Sequence, residues 1–248
     1  MFVAGGYYHV INRGNDRAVV FHSPGDYRAF IELMTDSEAR HRPKLLAFCL
    51  MPNHFHLVAS PGGPTDLSRW MHWLTTTHAH RHHLRHGTSG CVWQGRFKSF
   101  PIKDDGHLLT VMRYVERNAL RAGLADRAQS WPWGSLAWRA DAVADHFLAG
   151  TPMPLPADWT DRVNEPQTPA ELESLRRCVN RQRPFGDDQW VADTAYSWPA
   201  SGARRRGRPG KPSGENSVPG TELPVPGTEF PSLFLHERAT NAGRSGGN

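Results

Sequence analysis

His54 and His56 flank Phe55 in the stretch Leu50-Met51-Pro52-Asn53-His54-Phe55-His56-Leu57-Val58. In an extended strand alternate side chains share a face, so the two imidazoles project together while Phe55 and Leu57 turn the other way, into a core. Two neutral ring nitrogens on one exposed spot suit a divalent metal whose remaining positions are completed by other ligands or substrate oxygens. A chain with 14 His also produces such pairs structurally, so the surrounding residues must carry the argument.

A second chemical group lies further along. Leu108, Val111, Met112, Val115, Ala119 and Ala122 follow helical spacing and mark a buried face. Tyr114, Asn118 and Arg121 form a neighbouring stripe at i, i+4, i+7, presenting a phenol one turn from an amide. Between the two groups, Val92 to Ile102 reads as a strand on which Arg96 and Lys98 share one face and could hold phosphates. The alternative is an ordinary edge strand whose basic residues discourage aggregation.

The elements that must position these groups are legible as a pattern. Tyr7 to Gly14 is rich in β-formers and ends in a turn; a helix starts at Ser23-Pro24-Gly25-Asp26 and stops before Pro43. Lys44 to Leu50 and Phe55 to Ala59 are strand-like runs, and a helix carrying Leu67, Trp70, Met71 and Leu74 continues to about Arg85. Its second half, Thr77 to His86, is read as a solvated basic face rather than a multi-histidine metal site. The order predicts an α+β fold, a ferredoxin-like βαββαβ sheet whose central strands are the first and the histidine-bearing third. A helix after the fourth strand then crosses the sheet and brings Tyr114 towards His54 and His56.

Composition narrows the setting. A formal charge of +5 and a pI near 9.4 favour a polyanionic partner over an acidic substrate. Cys49, Cys91 and Cys178 are isolated, which indicates neither a disulfide framework nor a cysteine zinc cage. With no leader-like N-terminus and no apolar membrane span, a cytoplasmic protein is expected.

Residues 1–150 are expected to form the catalytic domain, 151–198 a helical extension, and 199–248 a disordered Pro/Gly-rich basic tail. The extension includes a helical run from about Pro169 to Trp190. In the tail Arg204, Arg205, Arg206, Arg208 and Lys211 put five cations in eight residues, as in a backbone-binding arm or a solvated linker. The aromatic segment Trp131-Pro132-Trp133-Gly134-Ser135-Leu136-Ala137-Trp138 either stacks on bases or caps the core.

Four ordered motifs resemble the IS200-like tyrosine transposases, and more closely their REP-associated branch. They are Tyr8-His9-Val10-Ile11-Asn12-Arg13-Gly14-Asn15, Met51 to Val58, Trp93-Gln94-Gly95-Arg96-Phe97 and Tyr114 to Leu124. Segments Trp131 to Ser135 and Pro184 to Trp190 extend the likeness. The resemblance implies a single-strand DNA endonuclease and strand transferase of the HUH class, with Tyr114 as nucleophile and His54 and His56 as metal ligands. Asn118 falls where the family often completes the metal site, with Glu116 or water as the alternative. Mg²⁺ or Mn²⁺ is the metal suggested by hard phosphate oxygens beside two imidazoles.

The partner implied is single-stranded and hairpin DNA, held by Arg13, Arg96, Lys98, Arg121 and the tail arginines at nucleoid DNA. The oligomeric state, monomer or homodimer, is left open. The competing reading is a non-catalytic nucleic-acid-binding module, which needs aromatics exposed on the sheet face.

Overall fold

Residues 1–36, 41–139 and 147–198 are described by the computed structural model. The β-branched and aromatic run Tyr7–Arg13 forms β1, and Lys44–Met51 and His54–Ser60 form β2 and β3, a hairpin closed by the two-residue turn Pro52-Asn53. Lys98–Ile102 is β4. All neighbours are antiparallel and the order is β2-β3-β1-β4, so β1 and β3 are central as expected.

One face of the sheet is covered by α1 (Pro24–Thr35) and α2 (Asp66–His86). Phe30 of α1 meets Phe55 at a ring separation of 5.3 Å, and Leu67, Trp70, Met71 and Leu74 of α2 are buried. The start of α1 is fixed chemically. Asp26 Oδ2 accepts from the backbone N–H groups of His22 and Ser23, closing a capping box behind Pro24. The other oxygen of Asp26 meets Arg85 and His86 at 3.0 Å each and ties the two helices together. No helix among the described residues is long and apolar enough to cross a membrane.

The opposite face, which carries the histidine pair, is covered by α3 (Gly106–Glu116), continued after Arg117 by the short α4 (Asn118–Arg121). Asp105 caps α3 by accepting from the His107 N–H. Beyond it α5 (Ser135–Trp138), α6 (Trp159–Asn164), α7 (Pro169–Arg181) and α8 (Asp188–Ser197) complete the described chain. The run expected from Pro169 to Trp190 is thus two helices, because Gln182 adopts a left-handed conformation (φ 52°) and Pro184 follows.

One further expectation changes, and one open alternative is decided. The strand expected from Val92 begins only at Lys98, since Gly95 turns the chain at φ +96°. The aromatic segment caps the core. Trp131 and Trp133 are buried, Trp133 stacks on Tyr27 at 4.8 Å, and Trp131 Nε1 donates to the Leu50 carbonyl.

Glu116, the last residue of α3, is buried and fully partnered. Oε1 accepts from Ser135 Oγ at 2.6 Å and Arg139 Nε at 2.7 Å, and Oε2 from Trp159 Nε1 at 2.7 Å. A carboxylate taken out of water persists only with such compensation, and removing it strands the buried ends of three donors. Glu116→Leu is therefore expected to lose about 3–5 kcal/mol in urea unfolding. Glu173→Ala, which breaks an exposed i,i+4 pair with Arg177, should cost under about 0.5 kcal/mol.

Candidate active site

The β1–β3 register decides which side chains meet. Arg13 pairs with His54, Ile11 with His56 and His9 with Val58, so His9, Ile11 and Arg13 share the face of the histidine pair. Ile11 pairs on its other side with Lys98 of β4, and Cys49 of β2 stands opposite His56. Arg13 and Lys98 therefore flank the pair on the same face, both exposed. Arg96 is exposed in the loop before β4 and shares no strand face with Lys98.

The loop after β1 holds the hairpin turn in place. The Pro52 carbonyl accepts from the N–H groups of Val20 and Phe21, and the Asn53 carbonyl from Gly14. Gly14 is needed there, because a Cβ would lie 2.3 Å from the Ala18 carbonyl oxygen. The Asn53 side chain donates to the Arg17 carbonyl through Nδ2, which turns Oδ1 towards Nδ1 of His54 at 2.7 Å. An amide oxygen only accepts, so His54 carries its proton on Nδ1 and its Nε2 lone pair is free.

The rings of His54 and His56 are 5.0 Å apart. Nδ1 of His56 lies 2.9 Å from Nε2 of His9, a residue with no chemical signature of its own in the sequence. Only its alternation with Ile11 and Arg13 in β1 hinted at the shared face. Tyr114, 4% exposed, approaches edge-on with its ring 5.9 Å from His56 and 6.0 Å from His9. The Arg121 guanidinium lies 4.3 Å above the Tyr114 ring and donates to Asn118 Oδ1, while Asn118 Nδ2 points to the Val115 carbonyl. His54, His56, Tyr114, Asn118 and Arg121 thus gather on one side of the sheet.

Burial dominates the electrostatics. It pushes His54 down to about 4, helped by the positive charges of Arg13 and Arg121, and holds His56 well below the ordinary imidazole value. His9, wholly buried, is pushed down to about 3. All three are neutral near pH 7, the form in which an imidazole ligates a metal.

Two neutral imidazoles fit a divalent cation, but they make an incomplete site. Among the described residues no cluster of three or more His, Cys, Asp or Glu side chains could hold a metal ion. Asn118 Oδ1 retains a second lone pair beyond its bond to Arg121. Glu116, considered from sequence as its substitute, has both oxygens committed to Ser135, Arg139 and Trp159. The α2 histidines form no such site either. His78 packs on Phe30 and Trp93, and His86 pairs with Asp26. Arg204, Arg205, Arg206 and Arg208 lie outside the described residues.

Phe100, Ile102 and Val58 on the sheet are buried and offer no stacking surface beside the pair. The extension reaches the back of the tyrosine helix. Arg113 Nε donates to the Arg162 carbonyl at 2.6 Å, and Arg117 Nη1 to the carbonyls of Val163 and Asn164. These cations satisfy the free carbonyls at the end of α6.

Residues 2–118 match the model of a family described as transposase, IS200-like. Among solved structures, one described as a REP-associated tyrosine transposase bound to a REP hairpin is similar at 20% identity and a TM-score of 0.44. The similarity covers 68% of this chain and 96% of that one. No curated protein matches the chain.

The buried imidazoles set a pH dependence. Unfolded His takes up a proton near pH 6.5, whereas folded His9, His54 and His78 resist until about pH 3 to 4, so acid favours the unfolded chain. Stability is fully present above pH 6.5 and falls as pH drops towards the folded values. In EDTA, urea unfolding should show a loss of about 1 kcal/mol per imidazole between pH 7 and pH 5.5. A flat profile over that range would show these rings to be solvated.

Proposed function

From the match of residues 2–118 to the IS200-like transposase family, we propose that the protein is a transposase of that kind, which cleaves and rejoins single-stranded DNA at palindromic repeat hairpins through Tyr114. The observation that carries this reading is the placement of the Tyr114 ring 5.9 Å from His56 within one chain, beneath the guanidinium of Arg121. A binding module with no chemistry has no use for a phenol, two neutral imidazoles and a cation gathered under a helix.

The Tyr114 hydroxyl attacks a backbone phosphorus in line as its proton departs. The bond from phosphorus to the 3′ oxygen breaks, and that oxygen takes up a proton. Tyr114 is then joined to the 5′ phosphate, and a free 3′-OH remains. Attack by a 3′-OH on the phosphotyrosine reverses the step, so a strand is resealed or transferred without ATP. Mg²⁺ or Mn²⁺ held at Nε2 of His54 and His56, with Asn118 as a further ligand, would stabilise the charge developing on the non-bridging oxygens. Arg13, Lys98 and Arg121 flank the site and hold the phosphate on either side of the scissile bond, with Arg96 on the neighbouring loop. Arg204, Arg205, Arg206 and Arg208 contribute further backbone contacts to a repeat hairpin of the REP-associated kind.

Incubation of the full chain with labelled single-stranded repeat oligonucleotides and Mn²⁺ should give a covalent adduct that survives denaturing electrophoresis. Tyr114→Phe and EDTA should each reduce it to background while hairpin binding persists. Binding without an adduct under any metal would leave only the recognition function. Lys98→Ala should lower the slope of log affinity against log salt by about 0.7, as expected for one phosphate contact on a single strand. An unchanged slope would remove Lys98 from the DNA path.

A further inference from the structure

His9 has no part in the chemistry above. It is wholly buried in β1, with the Phe100 ring edge-on at 4.9 Å and Tyr114 beside it. Its one polar contact among the described residues is Nε2 to Nδ1 of His56, at 2.9 Å. Among the described residues Nδ1 of His9 has no hydrogen-bond partner, and it is buried. An apolar side chain would fill this place without leaving a ring nitrogen unpaired. The ring therefore calls for an explanation beyond packing.

A single proton lies between the two rings, and its location decides what His56 can do. If it belongs to His9 Nε2, then Nδ1 of His56 is the acceptor, neutral His56 carries its own proton on Nε2, and Nε2 has no lone pair to offer. If it belongs to His56 Nδ1, Nε2 is free. For His54 the same choice is made by Asn53. Its amide is oriented by the Arg17 carbonyl, so Oδ1 can only accept.

We propose that His9 is the positioning residue for His56, accepting its Nδ1–H and so fixing the tautomer and ring orientation that turn Nε2 to the metal. This rests on reading His54 and His56 as ligands. His9 and Asn53 then do equivalent work from opposite sides of the pair, one from β1 and one from the hairpin turn. The consequence for His9 is that its own proton sits on Nδ1, the nitrogen left without a partner. A ligand imidazole whose second nitrogen is held by a hydrogen bond is more basic and better oriented than a free one.

The tautomer can be read without any activity. Long-range ¹⁵N–¹H spectra of the histidine-labelled full chain in EDTA should show both His56 and His9 protonated on Nδ1. An Nε2–H signal from both rings overturns the proposal. Two variants read the consequence. His9→Gln supplies an amide oxygen that accepts the same N–H, and His9→Leu supplies none.

By Mn²⁺ electron paramagnetic resonance, His9→Leu should bind about 10–100-fold more weakly, and His9→Gln within about threefold of the wild type. Hairpin binding in EDTA should be the same for all three. Equal weakening in both variants means a packing role only, and no weakening in either removes the role altogether. Wild-type protein that takes up no Mn²⁺ overturns the ligand reading itself, and this role with it.

Discussion

The antiparallel pairing of β1 with β3 is the constraint on which the site depends. It sets Arg13 against His54 and Ile11 against His56, and it brings His9 within hydrogen-bonding distance of a residue 47 positions away. A slip of one residue would send His54 and His56 into the apolar layer beneath α1 and α2 and turn Phe55 and Leu57 outward. That layer resists the slip, since Phe55 packs on Phe30 and Trp93 and is wholly buried. The core thus enforces the geometry of the polar face through the same strand.

The tyrosine helix α3 is held from both sides. Towards the sheet it offers Tyr114 to His56 and His9, with Arg121 of α4 lying on the ring. Away from the sheet Arg113, Glu116 and Arg117 bind α5, α6 and the chain between them through carbonyls, an indole N–H and a buried ion pair. Residues beyond the family match at 118 therefore help to place the phenol. Directional polar contacts fix the rotation and axial position of a helix more tightly than apolar packing, which tolerates sliding.

Charge around the site is arranged by type. The imidazoles are kept neutral by burial and by the cations Arg13 and Arg121, and the exposed guanidinium and ammonium groups stand at the rim. A neutral donor pair inside a cationic rim is suited to a metal and a polyanion bound together, since each then offsets charge that the other brings.

How much of this was legible in the sequence follows from the range of each interaction. The β-forming run Tyr7–Arg13, the alternation of His54, Phe55 and His56, the helix start at Ser23-Pro24 and helical spacing around Tyr114 are local patterns; they determined these elements, their order and the shared face of His54 and His56. The break at Gly95, which takes Arg96 off the strand, was decided by a positive φ that a glycine permits and does not require. Contacts across the chain were beyond such patterns. Trp131 is a core residue because the Leu50 carbonyl accepts its N–H, and Glu116 is structural because Ser135, Arg139 and Trp159 converge on it. His9 reads in the sequence as one more strand residue, and only the pairing of β1 with β3 places its ring against His56. Local propensity fixes where a side chain points along its own element; which partner it finds there is set by long-range packing, and for His9, Glu116 and Trp131 only the tertiary structure supplied it.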